Sequence, residues 1–321
     1  MVNNTNNITV EKKRRSGFAD FFIRMLKEKP LGTIGGLITI ILLLTGIFAN
    51  FLAPYGYNEY SVGPRLLGPT AQFWMGTDNL GRDIFSRIIY GARVSLIVGL
   101  GASVIATVVE TTLGLLCGYI GGTFDLVVQR FVDAIMCFPG LILMMVIISI
   151  TGPGMPQLII ILGLQFGIGG SRLIRSAAMS IKQNMYAKAA ISTGASTRTI
   201  IMRHILPNIM APIIIQFSMR VPAVIMTEAG LSFLGYGIPP PAPSWGAMLS
   251  GNSRTYMFLN PWIAVWPGLA LSVVVWGVNI FGDAVRDILD PRLRGGVGRY
   301  GLRFNKKVKI KTESDVIVQG D

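Results

Sequence analysis

Hydrophobic residues in this chain fall in long uncharged runs, not in the short periodic stripes of a soluble helix or strand. A bilayer core of roughly 30 Å takes about 20 apolar helical residues. Pro30 to Asn58 carries no charge and predicts a first span over about 31–52. Between Val94 and Phe124 the only charge is Glu110, which predicts a second over about 94–119. Ala134 to Ser171 is uncharged and too long for one helix, and the turn formers Thr151, Gly152, Pro153, Gly154 and Pro156 divide it. It reads as a helical hairpin with spans over about 131–150 and 157–173. Ile209 to Leu231 predicts a fifth span, about 209–231, and Thr255 to Gly282 a sixth, about 262–282. The expected fold is therefore all-α and integral to the membrane, with about six transmembrane helices. No repeat of solenoid length interrupts this pattern.

Composition agrees with a lipid-embedded interior: 51% of the 321 residues are hydrophobic and 14% charged, outside the soluble globular range. A net charge of +13 would suggest nucleic acid if the cations formed one patch, but they lie between the apolar runs and at the ends, so no nucleic-acid partner is expected. Lys12, Lys13, Arg14, Arg15, Arg24, Lys27 and Lys29 precede the first span. Arg172, Arg175, Lys182, Lys188, Arg198 and Arg203 lie between spans four and five, without an acidic residue. Positively charged segments resist translocation, so these and the basic tail are expected on the cytoplasmic side, both termini included. The division is a cytoplasmic segment 1–30, a membrane domain 31–290 with an inner loop 174–208, and a tail 291–321. The basic start followed by an apolar run reads as an uncleaved first helix, not a signal peptide, because about 30 residues precede the run.

Familiar catalytic constellations are missing. His204 is the single histidine, which excludes a two-histidine metal motif. It reads as an interfacial polar residue. Cys117 and Cys137 have no metal-ligand or disulfide spacing and read as small membrane hydrophobes. No glycine is followed by lysine, so the phosphate-binding loop G-x-x-x-x-G-K-[ST] is absent. If ATP drives this protein, another polypeptide hydrolyses it.

The inner loop is the most informative stretch. Tyr186-Ala187-Lys188-Ala189-Ala190 favours a short helix, Gly194 permits a tight turn, and Pro207 in Ile205-Leu206-Pro207-Asn208 suits the first turn of the next helix. Small side chains allow a partner protein to approach closely. An amphipathic helix on the inner membrane surface is the alternative.

A-A-x-x-x-G followed after nine residues by x-x-L-P resembles the coupling loop of binding-protein-dependent ATP-binding-cassette (ABC) importers. Three further stretches are similar to the dipeptide and oligopeptide permeases of the second-subunit type. They are Gly76-Thr77-Asp78-Asn79-Leu80-Gly81-Arg82-Asp83 with Tyr90-Gly91-Ala92-Arg93, then Glu228-Ala229-Gly230-Leu231-Ser232-Phe233-Leu234-Gly235 with Pro243-Ser244-Trp245-Gly246, and Asn279, Gly282-Asp283, Arg286-Asp287 and Leu289-Asp290-Pro291. The resemblance covers roughly residues 30–295. It implies a non-catalytic permease subunit of a peptide importer in a bacterial or archaeal cell membrane. A second homologous permease would complete the path, two cytoplasmic ATP-binding subunits would hold ATP and Mg, and an extracytoplasmic binding protein would deliver peptide. The chain itself would bind no cofactor. ATPase coupling would fall on Lys188, Ala189, Ala190, Gly194, Leu206 and Pro207. Lys188 stands where the family usually has glutamate, which reverses the charge at that contact.

Glu110 and Arg220 lie well inside apolar runs, where an isolated charge costs at least about 2.5 kcal/mol. They are expected to pair with each other, to line a route for a zwitterionic peptide backbone, or to make a structural contact with the partner permease. Glu228 is expected at an interface or gate hinge. Two outer segments, roughly 54–92 and 232–261, are rich in Pro, Gly and aromatics and suit interfacial anchoring, with contact to the binding protein implied by the resemblance. Nickel, metallophore and glutathione importers share these motifs and are the nearest rivals. A proton-driven secondary carrier is a more distant one, and an intramembrane enzyme lacks its catalytic groups.

Overall fold

A computed structural model describes residues 17–289. The basic residues 1–16 and the expected polar tail lie outside the described residues. Helix α1 (Gly17–Glu28) leads into α2 (Pro30–Ile47), whose first turn carries Pro30 where a missing N–H costs nothing. A short α3 (Ala49–Leu52) and an irregular segment lead to α4 (Ile84–Ile120). Then come α5 (Gly122–Met136), α6 (Gly140–Thr151) and α7 (Met155–Lys182). The next segment holds α8 (Met185–Ser192) and α9 (Thr197–Thr199), which passes through a π turn (Ile200–Ile205) and a 3-10 turn (Leu206–Ile209) into α10 (Met210–Phe233). Two short helices, α11 (Trp245–Leu249) and α12 (Asn252–Tyr256), precede α13 (Trp262–Leu289).

Helices α4 and α7 form the central pair, and glycine lets them touch backbone to backbone. A Cβ placed on Gly114 would lie 2.7 Å from the Ser171 carbonyl oxygen, and one on Gly118 2.7 Å from that of Arg175. From the other side, a Cβ on Gly163 would meet Ile105 at 2.6 Å and one on Gly167 would meet Val109 at 2.7 Å. Gly114–Gly118 and Gly163–Gly167 are both G-x-x-x-G spacings, the close-approach pattern of membrane helices. Higher numbers on α4 meet higher numbers on α7, so the two helices run parallel. The α5–α6 pair must therefore return the chain along the bundle, although it is bent by 87°.

That bend corrects the expected third span over 131–150. Pro139 disfavours helical geometry at Phe138 and cannot continue the hydrogen-bond ladder, so α5 stops at Met136 and α6 restarts at Gly140. The break between α6 and α7 falls at Gly152, which takes φ +85°. With the bent pair taken as one crossing, the described residues hold up to six spans.

Helix α4 begins ten residues earlier than the expected start at 94. Asp83 caps it by accepting from the Ser86 N–H at 2.8 Å. The arginines of this added stretch are absorbed: Arg93 Nε donates to the Gly46 carbonyl at 2.8 Å and Nη1 to Asn50 Oδ1 at 2.9 Å, while Arg87 Nη1 donates to the Tyr57 carbonyl at 2.9 Å. Gly46 and Ile47 carry otherwise orphaned carbonyls at the end of α2, where a cation is favourable.

Exposed Leu37, Ile41 and Leu44 on α2, with Val265, Leu269, Val273 and Trp276 on α13, give apolar stripes at helical spacing that suit lipid. Replacing Gly167 with Val should lower the apparent melting temperature of the detergent-solubilised protein by roughly 5 °C or more through overpacking. Gly169→Ala, where an added Cβ meets nothing within 4 Å, should leave it nearly unchanged in the same fluorescence scan.

Candidate functional site

Two places bring the predicted site residues together: the short helix between α7 and α10, and a buried ion pair among α4, α7 and α10. The first starts later than the expected loop at 174, because α7 continues to Lys182. Three of the cations expected in that loop, Arg172, Arg175 and Lys182, lie on α7 and are engaged. Arg175 forks onto Asp125, with Nε donating to Oδ1 at 2.5 Å, Arg172 pairs with Asp133, and Lys182 Nζ donates to the Tyr119 carbonyl at 2.5 Å. The end of α7 is thereby tied to α5 and the end of α4.

On this base α8 presents one face outward. Ala187 is fully buried, Ala190 and Leu206 pack against the cluster of Leu115, Ile174, Ala178, Ile200, Ile205 and Ile209, and Lys188, Ala189, Gly194 and Pro207 are exposed. Exposed Met185, Tyr186 and Ile191 give the outward face apolar character. Gly194, at φ +76°, ends the helix in a Schellman motif: its N–H donates to the Ile191 carbonyl at 3.0 Å and the Ala195 N–H to that of Ala190 at 3.1 Å. Ser196 then caps the next helix by accepting from the Thr199 N–H.

Pro207 does not open a separate span as expected. It sits inside a run from Thr197 to Phe233 that counts as one span, so the predicted start at 209 moves back by a dozen residues. Pro207 has no N–H and its ring crowds the preceding turn, and the backbone accommodates this with a π turn in which Leu206 N–H reaches the Ile201 carbonyl. Asn208 Nδ2 satisfies the His204 carbonyl at 2.6 Å.

In the second place, Arg220 on α10 pairs with Glu110 on α4. Glu110 is 0% and Arg220 6% exposed. Gly170 on α7 leaves room for the contact: a Cβ there would collide with Glu110 Oε2 and lie 2.6 Å from Arg220 Nη2. Glu110 Oε1 and Arg220 Nη1 have no hydrogen-bond partner. Arg220 lines a cavity of about 460 Å³ together with Met136, Met144, Gln165, Gln216 and Met219. Glu228 stands apart, 1% exposed near the far end of α10, and accepts from Ser232 Oγ at 2.6 Å.

The other motif segments converge beyond α10. Trp245 is buried over Gly91, where a Cβ would lie 2.7 Å from the indole nitrogen, and its Nε1 donates to the Ile88 carbonyl at 3.1 Å. Gly246 presses on α10 so closely that a Cβ would lie 2.6 Å from Ala229 Cα. Asp78 accepts from Leu80 and Arg82 backbone N–H groups and from Arg82 Nε at 2.6 Å, holding the turn before α4. Asn260 Nδ2 reaches the Leu67 carbonyl at 3.1 Å and ties the segment before α4 to the one before α13. Sequence reading passed over Ala187, Gly170 and Asn260; the G-x-x-x-G pairs were the available signal for the glycine-lined face on which Gly170 lies. Among the described residues, no three His, Cys, Asp or Glu side chains gather as metal ligands would.

This arrangement of helices is similar to that of a chain of the methionine ABC transporter MetNI in inward-facing conformations, which superposes with a TM-score of 0.52 at 17% identity, covering 64% of this chain and 96% of that one. Residues 110–295 match the family described as binding-protein-dependent transport system inner membrane component, and the chain belongs to that family. Residues 18–69 match the N-terminal TM domain of oligopeptide transport permease C. Similar curated proteins include the glutathione transport system permease protein GsiD of Pectobacterium atrosepticum, 39% identical over 88% of this chain and 94% of that one. The dipeptide transport system permease protein DppC of Alkalihalophilus pseudofirmus is 40% identical over 84% and 89%. The protein is a multi-pass membrane permease.

Replacing Glu110 with Ala leaves a buried guanidinium unpaired and should cost about 3–5 kcal/mol. The Glu110→Gln/Arg220→Gln double variant should lose less than the sum of the single variants, and thermal unfolding of all three in detergent gives the coupling.

Proposed function

We propose that this chain is one of two permease subunits of an ATP-driven peptide importer, and that α8 is its contact with a separate ATPase. The observation that supports this most directly is the build of α8: a short helix on a buried mount, fixed by the Gly194 turn, with an exposed face of Met185, Lys188, Ala189 and Ile191. An amphipathic helix lying on lipid would need a broader apolar face than two turns supply. The described chain has no phosphate-binding loop of its own, so the energy of ATP would enter through this contact.

Peptide is the cargo read from the relatives, because glutathione is itself a tripeptide and the other named substrate is a dipeptide. The start of α2 and the end of α13 lie together, with Lys29 Nζ 2.5 Å from Asp287 Oδ2, on the same side as the α8 segment. Under the positive-inside rule that side is cytoplasmic, and the opposite face, with residues 53–83 and 234–261, receives the binding protein. A second homologous permease would close the path, and ATP and Mg would be held by the two ATPases.

Gly194→Val forces a β-branched side chain into a left-handed conformation and should abolish co-purification of the ATPase while the chain remains folded by its own melting curve. Peptide accumulation by this chain alone in proteoliposomes, driven by a proton gradient, would overturn the ATPase-coupled reading in favour of a secondary carrier.

A further inference from the structure

A second cavity, of about 490 Å³, lies at the end of the bundle away from α8. Its helical wall is Arg87 in the first turn of α4, Ser232 in the last turn of α10 and Ile263 in the first turn of α13, with Pro153 from the turn between α6 and α7. The rest comes from the segment before α4 and from residues 235–253. No lining residue belongs to the middle of a membrane helix, so the cavity is a recess in one face of the bundle and not a stretch of a path across it. The charged groups on the wall are Arg82, Arg87 and Asp78, two cations to one carboxylate. Arg82 already holds Asp78: its Nε donates to Oδ2 at 2.6 Å, while Oδ1 accepts from the Leu80 and Arg82 backbone N–H groups. Arg87 Nε stays 3.9 Å from that same Oδ2, beyond hydrogen-bond reach.

Arg87 is therefore the surplus charge. The residue is 8% exposed, and a guanidinium withdrawn that far from water carries a desolvation penalty until a counter-charge meets it. Nη1 is committed to the Tyr57 carbonyl. Nε and Nη2 make no hydrogen bond, yet neither is sealed from the surface, and the side chain keeps 10% of its surface accessible where it lines the cavity. These two nitrogens form the edge of a guanidinium that takes a carboxylate side-on. Arg175 uses the same edge, with Nε and Nη2 forked onto the two oxygens of Asp125. Arg87 offers that fork with no carboxylate of its own chain in it. We propose that the cavity is a socket for one Asp or Glu side chain of the binding protein, gripped by Arg87 through Nε and Nη2. The proposal rests on the peptide-import reading, in which this face meets the binding protein, and adds the chemistry of docking. A partly enclosed arginine is the kind of residue on which interface energy concentrates, and its counterpart here is an acid.

The test uses the whole transporter, this chain with its sister permease and ATPases, in proteoliposomes. Peptide-loaded binding protein is titrated in, and the concentration that half-saturates ATP hydrolysis is read. Arg87→Gln removes the surplus charge. Asn79→Asp leaves every contact named above in place and adds a carboxylate to the cavity wall, so that the chain supplies its own counter-charge. Each variant should raise the half-saturating concentration about tenfold, as expected for losing a hydrogen bond between charged groups. Each Asp and Glu on the docking face of the binding protein is then changed singly to Asn or Gln. One of these should give the same tenfold rise with the wild-type permease and no further rise with Arg87→Gln, the mark of a direct pair. An unshifted half-saturating concentration in both permease variants overturns the socket and leaves peptide import standing. So does a shift that no acid of the binding protein shares. If Arg87→Gln fails to assemble, Asn79→Asp decides, with the acid scan repeated against it. A changed rate ratio of trialanine to its C-terminal amide at unshifted half-saturation assigns the cavity to the peptide carboxylate and overturns docking by an acid. A wild-type transporter whose ATP hydrolysis no binding protein stimulates overturns the import reading itself, and the socket with it.

Discussion

The bundle depends on two backbones being able to touch. Within lipid there is no hydrophobic gain in bringing helices together, so association draws on close van der Waals packing, and small residues permit it. Gly114 and Gly118 on α4 meet α7 at Ser171 and Arg175, and Gly163 and Gly167 on α7 meet α4 at Ile105 and Val109. That approach sets the parallel course of the two helices and hence the return path of α5 and α6. It also brings Gly170 beside Glu110, where a side chain on α7 would collide with both members of the ion pair. A charge pair in this place costs less than two separate charges, because each ion finds its counterpart before it meets lipid.

The two ends of the bundle are built by different means. At the α8 end, long cations from α7 reach Asp125, Asp133 and the Tyr119 carbonyl, and a cluster of isoleucines fills the space under the short helix. At the other end the segments before α4 and after α10 have little regular structure and are held by point contacts: Trp245 on Gly91, Gly246 on Ala229, Asn260 on the Leu67 carbonyl. The sequence motifs that mark the family are largely these contacts. Gly91 is small because an indole occupies the place of its side chain, and Trp245 is large because it spans from α11 to the Ile88 carbonyl.

How much could be read beforehand follows from which signals are local. Uncharged length is local, and it located the apolar runs now seen in α2, α4, α6 with α7, α10 and α13. Charge as a boundary marker misled at α4, where Arg87 and Arg93 belong to the helix and are satisfied by carbonyls of distant segments. It misled again at α7, whose last turns hold Arg172, Arg175 and Lys182 against partners on α5 and α4. The bend at Pro139 was open to local reading, since proline followed by glycine is a strong interruption, but the absence of charge across it hid the break. Pro207 shows the opposite error: a proline expected to start a helix is carried within one, because a π turn widens the ladder around it. The Glu110–Arg220 contact spans 110 positions, and the sequence offered that pairing only as one of three expectations for the two charges.

Gly194 acts through its stereochemistry. Its backbone lies at φ +76°, a conformation that is natural for the mirror image of an ordinary residue. Nothing within 4 Å would meet a side chain of L configuration there, so crowding is not what excludes one. The exposed face of α8 is therefore positioned by handedness. A D-alanine introduced at 194 by chemical ligation fits a turn that L-alanine strains, and the geometry of that face depends on the one genetically encoded residue that has no hand.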